Sequence, residues 1–279
     1  MKNLIYQYWY GSNPRESALA GKENMQNYAK KIGAEYKFEI DPPFHGPPCR
    51  GLERKYSACR PIHDDTFLEY DNVLYADLDV FATERCDENI FEEDIKHIGI
   101  CEEPLQPYLR TISSSANTSI NNKNDNRLST VLEEKYGKGL YREEKFPFAP
   151  KVFNSGVVLF TNEGLVQARE NFVPFAEHIG FVQSSGLPSF YWSDQNYYRS
   201  MMCVSGVDFK IMDYKWNSQI HYVRGEELKV ADGRTQETNF VHVQISSADD
   251  MDKEAHRRMV NLPISEWNIN DKIRGSFNV

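Results

Sequence analysis

The start of the chain alternates between short apolar runs and one amphipathic segment. Residues 4–8 form an apolar, β-rich run, and apolar residues recur at helical spacing across 18–32. Gly33 follows this segment and predicts the end of a helix, because glycine readily adopts the left-handed conformation of a C-cap. Residues 35–40 predict a second strand. Strand, helix and strand in this order favour the opening of a parallel α/β layer.

The same patterning continues to about residue 101. Residues 52–68 predict a helix that is broken near Pro61, since proline lacks the backbone donor that a helix interior needs. The next apolar run, 72–76, leads directly into Asp77-Leu78-Asp79. Residues 97–101 predict a further strand.

The second half of the chain has a more mixed pattern. Residues 113–127 form a polar, asparagine-rich stretch, which predicts either a surface loop or an active-site lid. Residues 151–160 predict a strand interrupted by Asn154-Ser155-Gly156, after which Thr161 caps a helix. The remaining predicted elements are a helix at 193–202, strands at 208–212, 219–223 and 240–244, and a final helix from Ser247.

Composition and charge narrow the classes of function. The chain of 279 residues is 40% hydrophobic and 26% charged, which is typical of a globular protein. Its 32 basic and 41 acidic side chains give a net charge of -9. Nucleic acid is therefore not expected as a partner, because binding to a phosphate backbone needs a basic stripe.

Membrane and cysteine signals are weak in this sequence. No window approaches the roughly 18–20 apolar residues of a membrane span, and the start of the chain shows no secretory cleavage pattern. We therefore expect a cytoplasmic protein without a membrane span. The five cysteines are odd in number and lack a C-x-x-C pair, which predicts reduced thiols in the core.

Paired carboxylates supply the first candidate chemistry. Asp77 and Asp79 follow an apolar run, so they stand at the carboxyl end of a predicted buried strand, where open α/β sheets bind ligands. Two carboxylates one residue apart on an extended chain point the same way and can hold one hard cation. A second D-x-D pair, Asp250 and Asp252, lies in the first turn of a predicted helix, where negative charge suits the helix dipole.

Four short motifs follow one another along the chain. They are Tyr75-Ala76-Asp77-Leu78-Asp79-Val80, Phe153-Asn154-Ser155-Gly156-Val157, Ser193-Asp194-Gln195 and Phe240-Val241-His242-Val243. In this order and rough spacing they resemble the GT-A glycosyltransferases, above all the glycogenin-like and related retaining families. The resemblance implies a GT-A, Rossmann-like α/β fold with a mixed, mainly parallel sheet flanked by helices. We expect one domain over 1–279, with a nucleotide-binding half at 1–110 and an acceptor-side half at 111–279.

The resemblance also implies a metal site. Asp77 and Asp79 would bind Mn²⁺ or Mg²⁺ that bridges the donor pyrophosphate, and His242 would be the third protein ligand. A nucleoside diphosphate leaves more readily when a divalent cation neutralises its developing charge. The glycogenin-like families carry a lysine a few residues after this histidine, and residues 242–248 contain none.

The resemblance also implies which residues contact the transferred sugar. Asn154, Ser155 and Gly156 match the turn that contacts the sugar, where glycine allows a close backbone approach; a β-bulge is the alternative reading. Asp194 and Gln195 match the pair that meets the transferred sugar and are the catalytic candidates; a simple helix start is the alternative.

The nucleotide itself calls for an aromatic surface and a cation. Tyr8, Trp9 and Tyr10 end the first strand, and their ring faces can stack on a base or serve as core aromatics. Arg60 can reach donor phosphates or remain an ordinary surface charge. Ala76 is expected at the donor site beside the first aspartate.

These expectations together describe a metal-dependent hexosyl- or pentosyltransferase that moves a sugar from a nucleotide-sugar, a UDP-sugar by preference, to a hydroxyl of a glycan. Retention of configuration is favoured because no isolated carboxylate stands out as a base, although Asp194 could serve.

Two alternatives remain open from the sequence. A haloacid-dehalogenase-type phosphatase is one, because residues 73–80 fit its strand and aspartyl nucleophile, although that motif normally opens the fold. The other is a non-catalytic sugar-binding protein of the same fold.

Overall fold

The computed structural model describes residues 1–46, 48–103, 116–144, 146–223, 229–243 and 260–263. The chain divides into two compact units. Unit 1 comprises Met1–Pro43, Asn72–Glu93 and Asp213–Val279, and unit 2 comprises Phe44–Asp71 and Asp94–Met212. The predicted helix from Ser247 and the second pair, Asp250 and Asp252, lie outside the described residues. The functional division at residue 110 stays a prediction.

Unit 1 opens with the predicted strand, helix and strand. These are β1 (Asn3–Trp9), α1 (Glu16–Ile32) and β2 (Glu35–Ile40), followed by β3 (Asn72–Ala76). β1 pairs in parallel with both β2 and β3, and α1 packs against β1 and β2. Gly33 ends α1 with φ 73°, as predicted from its position. The parallel α/β layer is therefore confirmed.

A second sheet of unit 1 is formed from short strands far apart in sequence. Its strands are β4 (Val80–Ala82), β10 (Ser218–Val223), β11 (Lys229–Asp232) and β12 (Phe240–His242), in the order β11-β10-β12-β4. β12 runs antiparallel to β4 and parallel to β10. His242 is opposite Val80 in this register, one residue after Asp79.

The strands of unit 2 centre on β5 (Ile98–Glu102). It pairs antiparallel with β8 (Phe153–Thr161) and in parallel with β9 (Phe209–Met212). β8 is one continuous strand, but its pairing with β5 is interrupted where the sequence predicted, at Asn154-Ser155-Gly156. The register passes from Val158 to Asn154 while β5 advances by one residue, which is a bulge in β8. β6 (Arg142–Glu143) and β7 (Phe146–Pro150) form a small separate hairpin.

Residues 52–68 do not form the single broken helix that their pattern predicts. They form a 3₁₀ helix at Glu53–Cys59, the short helix α2 (Arg60–His63) and a second 3₁₀ helix that begins at Asp65. Pro61 lies in the first turn of α2, where its missing N–H costs nothing. Proline therefore starts a helix here rather than kinking one.

The asparagine-rich stretch is helical in its described part. Residues 116–127 belong to α3 (Ala116–Tyr136), so the expectation of a loop is wrong there, and 113–115 lie outside the described residues. The alternative of an active-site lid stays a prediction. Leu128 and Leu132, one turn apart, are fully buried. Asp125 is buried with them, and its carboxylate accepts from Arg199 and Tyr191. A helix face that buries polar groups against polar partners has little apolar periodicity to detect.

Three further helices complete unit 2. They are α4 (Asn162–Asn171), α5 (Phe175–Ser184) and α6 (Asp194–Val204). The Thr161 hydroxyl accepts from the N–H of Gly164 at 2.9 Å, so the predicted cap is confirmed. α4 and α6 pack against β8.

The predicted fold class is confirmed, because both units are mixed α/β with helices beside their strands. β1 pairs in parallel with β2 and β3, and β5 pairs in parallel with β9. All five cysteines are free and buried, as their number and spacing predicted. Among the described residues, none of the helices combines the length and the apolar run that crossing a bilayer requires.

Candidate functional site

Asp77-Leu78-Asp79 forms a turn between β3 and β4. The N–H of Val80 donates to the carbonyl of Asp77 at 3.1 Å. The segment is therefore a turn and not the extended chain that the sequence predicted. Helix α1 packs close to this turn at Gly21. A Cβ atom built on Gly21 would lie 1.8 Å from the carbonyl oxygen of Leu78, so only glycine fits there.

The turn and strand β12 bring three candidate ligands together. One carboxylate oxygen each of Asp77 and Asp79 and one ring nitrogen of His242 all lie within 4.8 Å of one another. Nε2 of the buried His242 ring lies 3.2 Å from Oδ1 of Asp79. On the other side, Nδ1 lies 3.2 Å from Oδ1 of Asn217. If Nδ1 donates to this oxygen, the lone pair of Nε2 faces the carboxylates, as in a metal-binding histidine.

Asp77 is held by groups from two strands of unit 1. The Tyr75 hydroxyl lies 2.5 Å from Oδ1 of Asp77, and the Gln7 amide donates to the Asp77 carbonyl at 3.0 Å. Tyr36 in turn donates to the Gln7 side chain at 2.8 Å. Burial and the neighbouring Asp79 raise the pKa of Asp77 to about 6, and the opposing influences of His242 and Tyr75 are smaller.

A cavity of about 280 Å³ opens beside the turn. Its wall includes Tyr8 and Trp9 from the end of β1, and both aspartates of the turn. Ser17 and Ala18, in the first turn of α1, also line the cavity, so the N-terminus of this helix forms one of its sides. Tyr10 packs edge-on against Tyr8 at 5.2 Å, and Ala76 is buried in β3; neither lines the cavity. The structure thus brings two of the three predicted base-site aromatics to the turn that carries Asp77 and Asp79.

The predicted sugar-contacting turn lies in unit 2. Asn154 is buried; its Nδ2 donates to Glu103 at 2.7 Å, and its Oδ1 accepts from the N–H of Gly156 at 2.8 Å. The amide thereby fixes the bulge in β8. The Ser155 hydroxyl donates to Asp194 at 3.3 Å.

Asp194 and Gln195 start helix α6. One oxygen of Asp194 accepts from the Gln195 N–H at 2.7 Å as well as from Ser155. Asp194 also lies near Cys59. Burial raises the pKa of the Cys59 thiol most, and the negative charge of Asp194 raises it further. The structure therefore joins Ser155 to Asp194 within unit 2, and Asp77, Asp79 and His242 within unit 1.

Arg60 is not a surface charge. It is 3% exposed, donates to Asp64 at 2.8 Å and covers the ring of Phe67 at 5.7 Å. Burial alone would raise the pKa of Asp64, but hydrogen bonds from Thr66 and the Arg60 guanidinium hold it below its ordinary value. This arrangement favours a structural role for Arg60 over donor binding.

Replacing Arg60 with methionine tests that role. Loss of the guanidinium leaves the Asp64 carboxylate buried without its cation, so we expect the free energy of unfolding to fall by roughly 3–5 kcal/mol in urea titrations. Arg142→Met, at an exposed position, should change it by less than about 1 kcal/mol. Unchanged stability combined with lost affinity for UDP would instead place Arg60 at the donor phosphates.

Sequence reasoning missed three residues that support these groups. Tyr75 and Asn217 contact candidate ligands of the metal site, and Glu103 accepts from Asn154. Tyr75 lies inside the first of the four motifs. Residues two apart in a strand share a face, so its contact with Asp77 could have been predicted. Asn217 and Glu103 carried no such signal, because only the tertiary fold brings them near their partners.

No model of a protein family matches the chain, and no curated relative does. The fold is similar to that of a glycosyltransferase involved in the glycosylation of the major capsid of PBCV-1, with 13% identity, a TM-score of 0.46 and coverage of 92% of this chain and 98% of that one. For mouse xyloside xylosyltransferase 1 the values are 15%, 0.47, 86% and 96%. For the glycosyltransferase GlyE of Streptococcus pneumoniae TIGR4 they are 10%, 0.33, 77% and 46%. These structural neighbours are glycosyltransferases.

Proposed function

We propose that the protein transfers a sugar from a nucleotide-sugar, a UDP-sugar by preference, to a hydroxyl of a glycan acceptor with the help of Mn²⁺ or Mg²⁺. One observation carries this proposal. Asp77 and Asp79, which form a cluster of candidate ligands with His242, lie in the wall of a cavity. The same cavity is lined by three aromatic side chains, those of Tyr8, Trp9 and Tyr75. A divalent cation and a nucleotide need these two features side by side.

The donor set fits a divalent cation. Two carboxylates offer the oxygen ligands that Mn²⁺ and Mg²⁺ prefer, and the imidazole of His242 offers a nitrogen whose ring is oriented from behind by Asn217. In the neutral tautomer that carries its proton on Nδ1, the short distance between Nε2 and Asp79 places two lone pairs next to each other. A cation held by both would relieve that repulsion.

The residues around the cavity suit a nucleoside diphosphate. Tyr8 and Trp9 present ring surface on which a base can stack. Ser17 and Ala18 lie in the first turn of α1, where backbone N–H groups and the helix dipole favour an anion. The cation, when bound, neutralises the charge that develops on the departing diphosphate.

Residues of unit 2 are proposed to handle the sugar. Asn154, Ser155 and Gly156 would contact its hydroxyls, and Asp194 with Gln195 would lie at the reacting carbon, as the family resemblance implies. Asp194 already accepts two hydrogen bonds, which fix its carboxylate in one orientation. A fixed acceptor carboxylate suits the positioning of a sugar hydroxyl. We propose retention of configuration for the reaction.

A donor screen tests the proposal. The protein is incubated without an acceptor, with Mn²⁺ and a panel of UDP- and GDP-sugars, and the release of nucleoside diphosphate is measured. We expect release from one donor class, its loss in EDTA, and its loss in His242→Ala. Calorimetry should show that UDP binds much more weakly in EDTA, because the diphosphate supplies ligands to the cation.

Other outcomes would point to the alternatives. Release of inorganic phosphate from simple phosphate esters, without cleavage of nucleotide-sugars, would favour the phosphatase. Binding of sugars without any turnover would favour the non-catalytic protein. Equal affinity for UDP with and without the cation would exclude a metal bridge to the diphosphate.

A further inference from the structure

Two hydroxyl groups connect the aromatic wall of the cavity with the candidate metal site. Oη of Tyr75 lies 2.5 Å from Oδ1 of Asp77 and 3.2 Å from Oη of Tyr8. Tyr75 has a single hydroxyl hydrogen, and an ionised carboxylate only accepts. Tyr75 therefore donates to Asp77, its nearer partner, and its hydroxyl also lies in contact with that of Tyr8. The two contacts form a path from the cavity wall to the carboxylate.

We propose that Tyr75 is a positioning residue that orients the Asp77 carboxylate for a divalent cation, and that Tyr8 reinforces it from the nucleotide side. The inference rests on the proposed function, because it takes Asp77 as a cation ligand and Tyr8 as part of the base site. Nothing in the four motifs assigns a role to either hydroxyl.

The surroundings of Tyr75 make its hydroxyl a fixed donor. The residue is 1% exposed, although it lines the cavity, so most of its side chain is held by neighbouring groups. Its ring is stacked on that of Tyr8 with centroids 5.8 Å apart and also contacts Tyr6 at 6.4 Å. Tyr75 and Asp77 are two positions apart at the end of a strand, which places both side chains on the same side. Hydrogen bonds from a hydroxyl to a carboxylate are short and strong, so this one can hold the carboxylate in one rotamer.

The two hydroxyls also link the proposed binding site of the base with that of the cation. Tyr8 lines the cavity, so a stacked base contacts the residue whose hydroxyl lies against that of Tyr75. Hydrogen bonds in series strengthen one another, by about 10–30% per bond. Partners behind a metal ligand typically contribute about 10–100-fold to metal affinity. We therefore expect the larger effect at Tyr75 and a smaller one at Tyr8.

The test measures the affinity for Mn²⁺ alone, by calorimetry and by the electron paramagnetic resonance signal of the free ion. The variants are Tyr75→Phe, Tyr8→Phe and the double variant, each of which keeps the ring and removes the hydroxyl. Tyr28→Phe is the control, because Tyr28 is a buried tyrosine of unit 1 whose hydroxyl bonds to the backbone of Glu88 and Ile90. Circular dichroism verifies that each variant is folded.

We expect Tyr75→Phe to weaken Mn²⁺ binding about 10–100-fold, Tyr8→Phe to weaken it less, and Tyr28→Phe to leave it unchanged. In the double variant, removing the Tyr8 hydroxyl should have no further effect, because its link to Asp77 is already broken. A purely structural role would not produce this non-additivity. If Tyr75→Phe does not fold, Tyr8→Phe still has to weaken Mn²⁺ binding.

The opposite results are distinct. Unchanged Mn²⁺ affinity in Tyr75→Phe, or equal effects of Tyr8→Phe with and without the Tyr75 hydroxyl, would overturn the positioning role while the transfer activity stands. Absence of Mn²⁺ binding in the unmodified protein would overturn it as well. Normal Mn²⁺ binding and the expected variant pattern without any donor cleavage would support the positioning role and refute the proposed transfer reaction.

Discussion

Asp79→Asn is expected to abolish cation binding while the protein remains folded. Asp79 lies in a turn, is partly exposed and provides charge rather than apolar packing. An asparagine keeps the shape but loses the negative charge that a divalent cation requires. Calorimetric affinity for Mn²⁺ should fall by more than the roughly 100-fold that an outer partner can contribute, and donor cleavage should fall with it.

Asp87→Asn is the matched control for this variant. Asp87 also belongs to unit 1, but its side chain is 86% exposed and pairs with Lys31. Its replacement should leave Mn²⁺ affinity and donor cleavage unchanged. Comparable losses in the two variants would mean that Asp79 acts through general electrostatics and not as a ligand.

Asp77→Asn is expected to remove cation binding and yet stabilise the metal-free protein at neutral pH. The pKa of Asp77 in the folded protein is raised to about 6, chiefly by burial and by Asp79. The folded state therefore holds this proton more tightly than the unfolded state. The stabilisation that results is fully present at low pH and is lost as the pH rises through about 6.

Thermal melts of the metal-free protein at several pH values check this expectation. The unmodified protein should lose stability on the order of 3 kcal/mol between acidic and neutral pH through this group, and Asp77→Asn should lack that component. The variant should then melt at a higher temperature near pH 7. Identical pH dependence in the two proteins would contradict the raised pKa of Asp77.

The sequence predicted best where the periodicity was strong and local. β1, α1, β2 and β3 follow from apolar spacing, and the end of α1 follows from Gly33. The position of Asp77 and Asp79 directly after β3 could also be predicted, because the pair follows an apolar run in the sequence. In each case the residues that determine the structure are neighbours in the chain.

Prediction failed where partners distant in sequence decide the structure. β4 has three residues, too few to show a strand period, and it exists because β12 pairs with it. The polar helix α3 is stabilised by Arg199 and Tyr191, which satisfy its buried Asp125. The contact of Tyr75 with Tyr8 joins two strands that only the folded sheet places side by side.

The separation of Asp79 and His242 has a consequence for the order in which the protein matures during synthesis. Both belong to unit 1, yet most of unit 2, residues Asp94–Met212, is translated between them. A ribosome-bound chain that has exposed only Asp77 and Asp79 has two ligands on one turn and lacks the imidazole. Under the proposed function, full cation binding must therefore wait until β12 has emerged and paired with β4, which would make uptake of the metal a late event in synthesis.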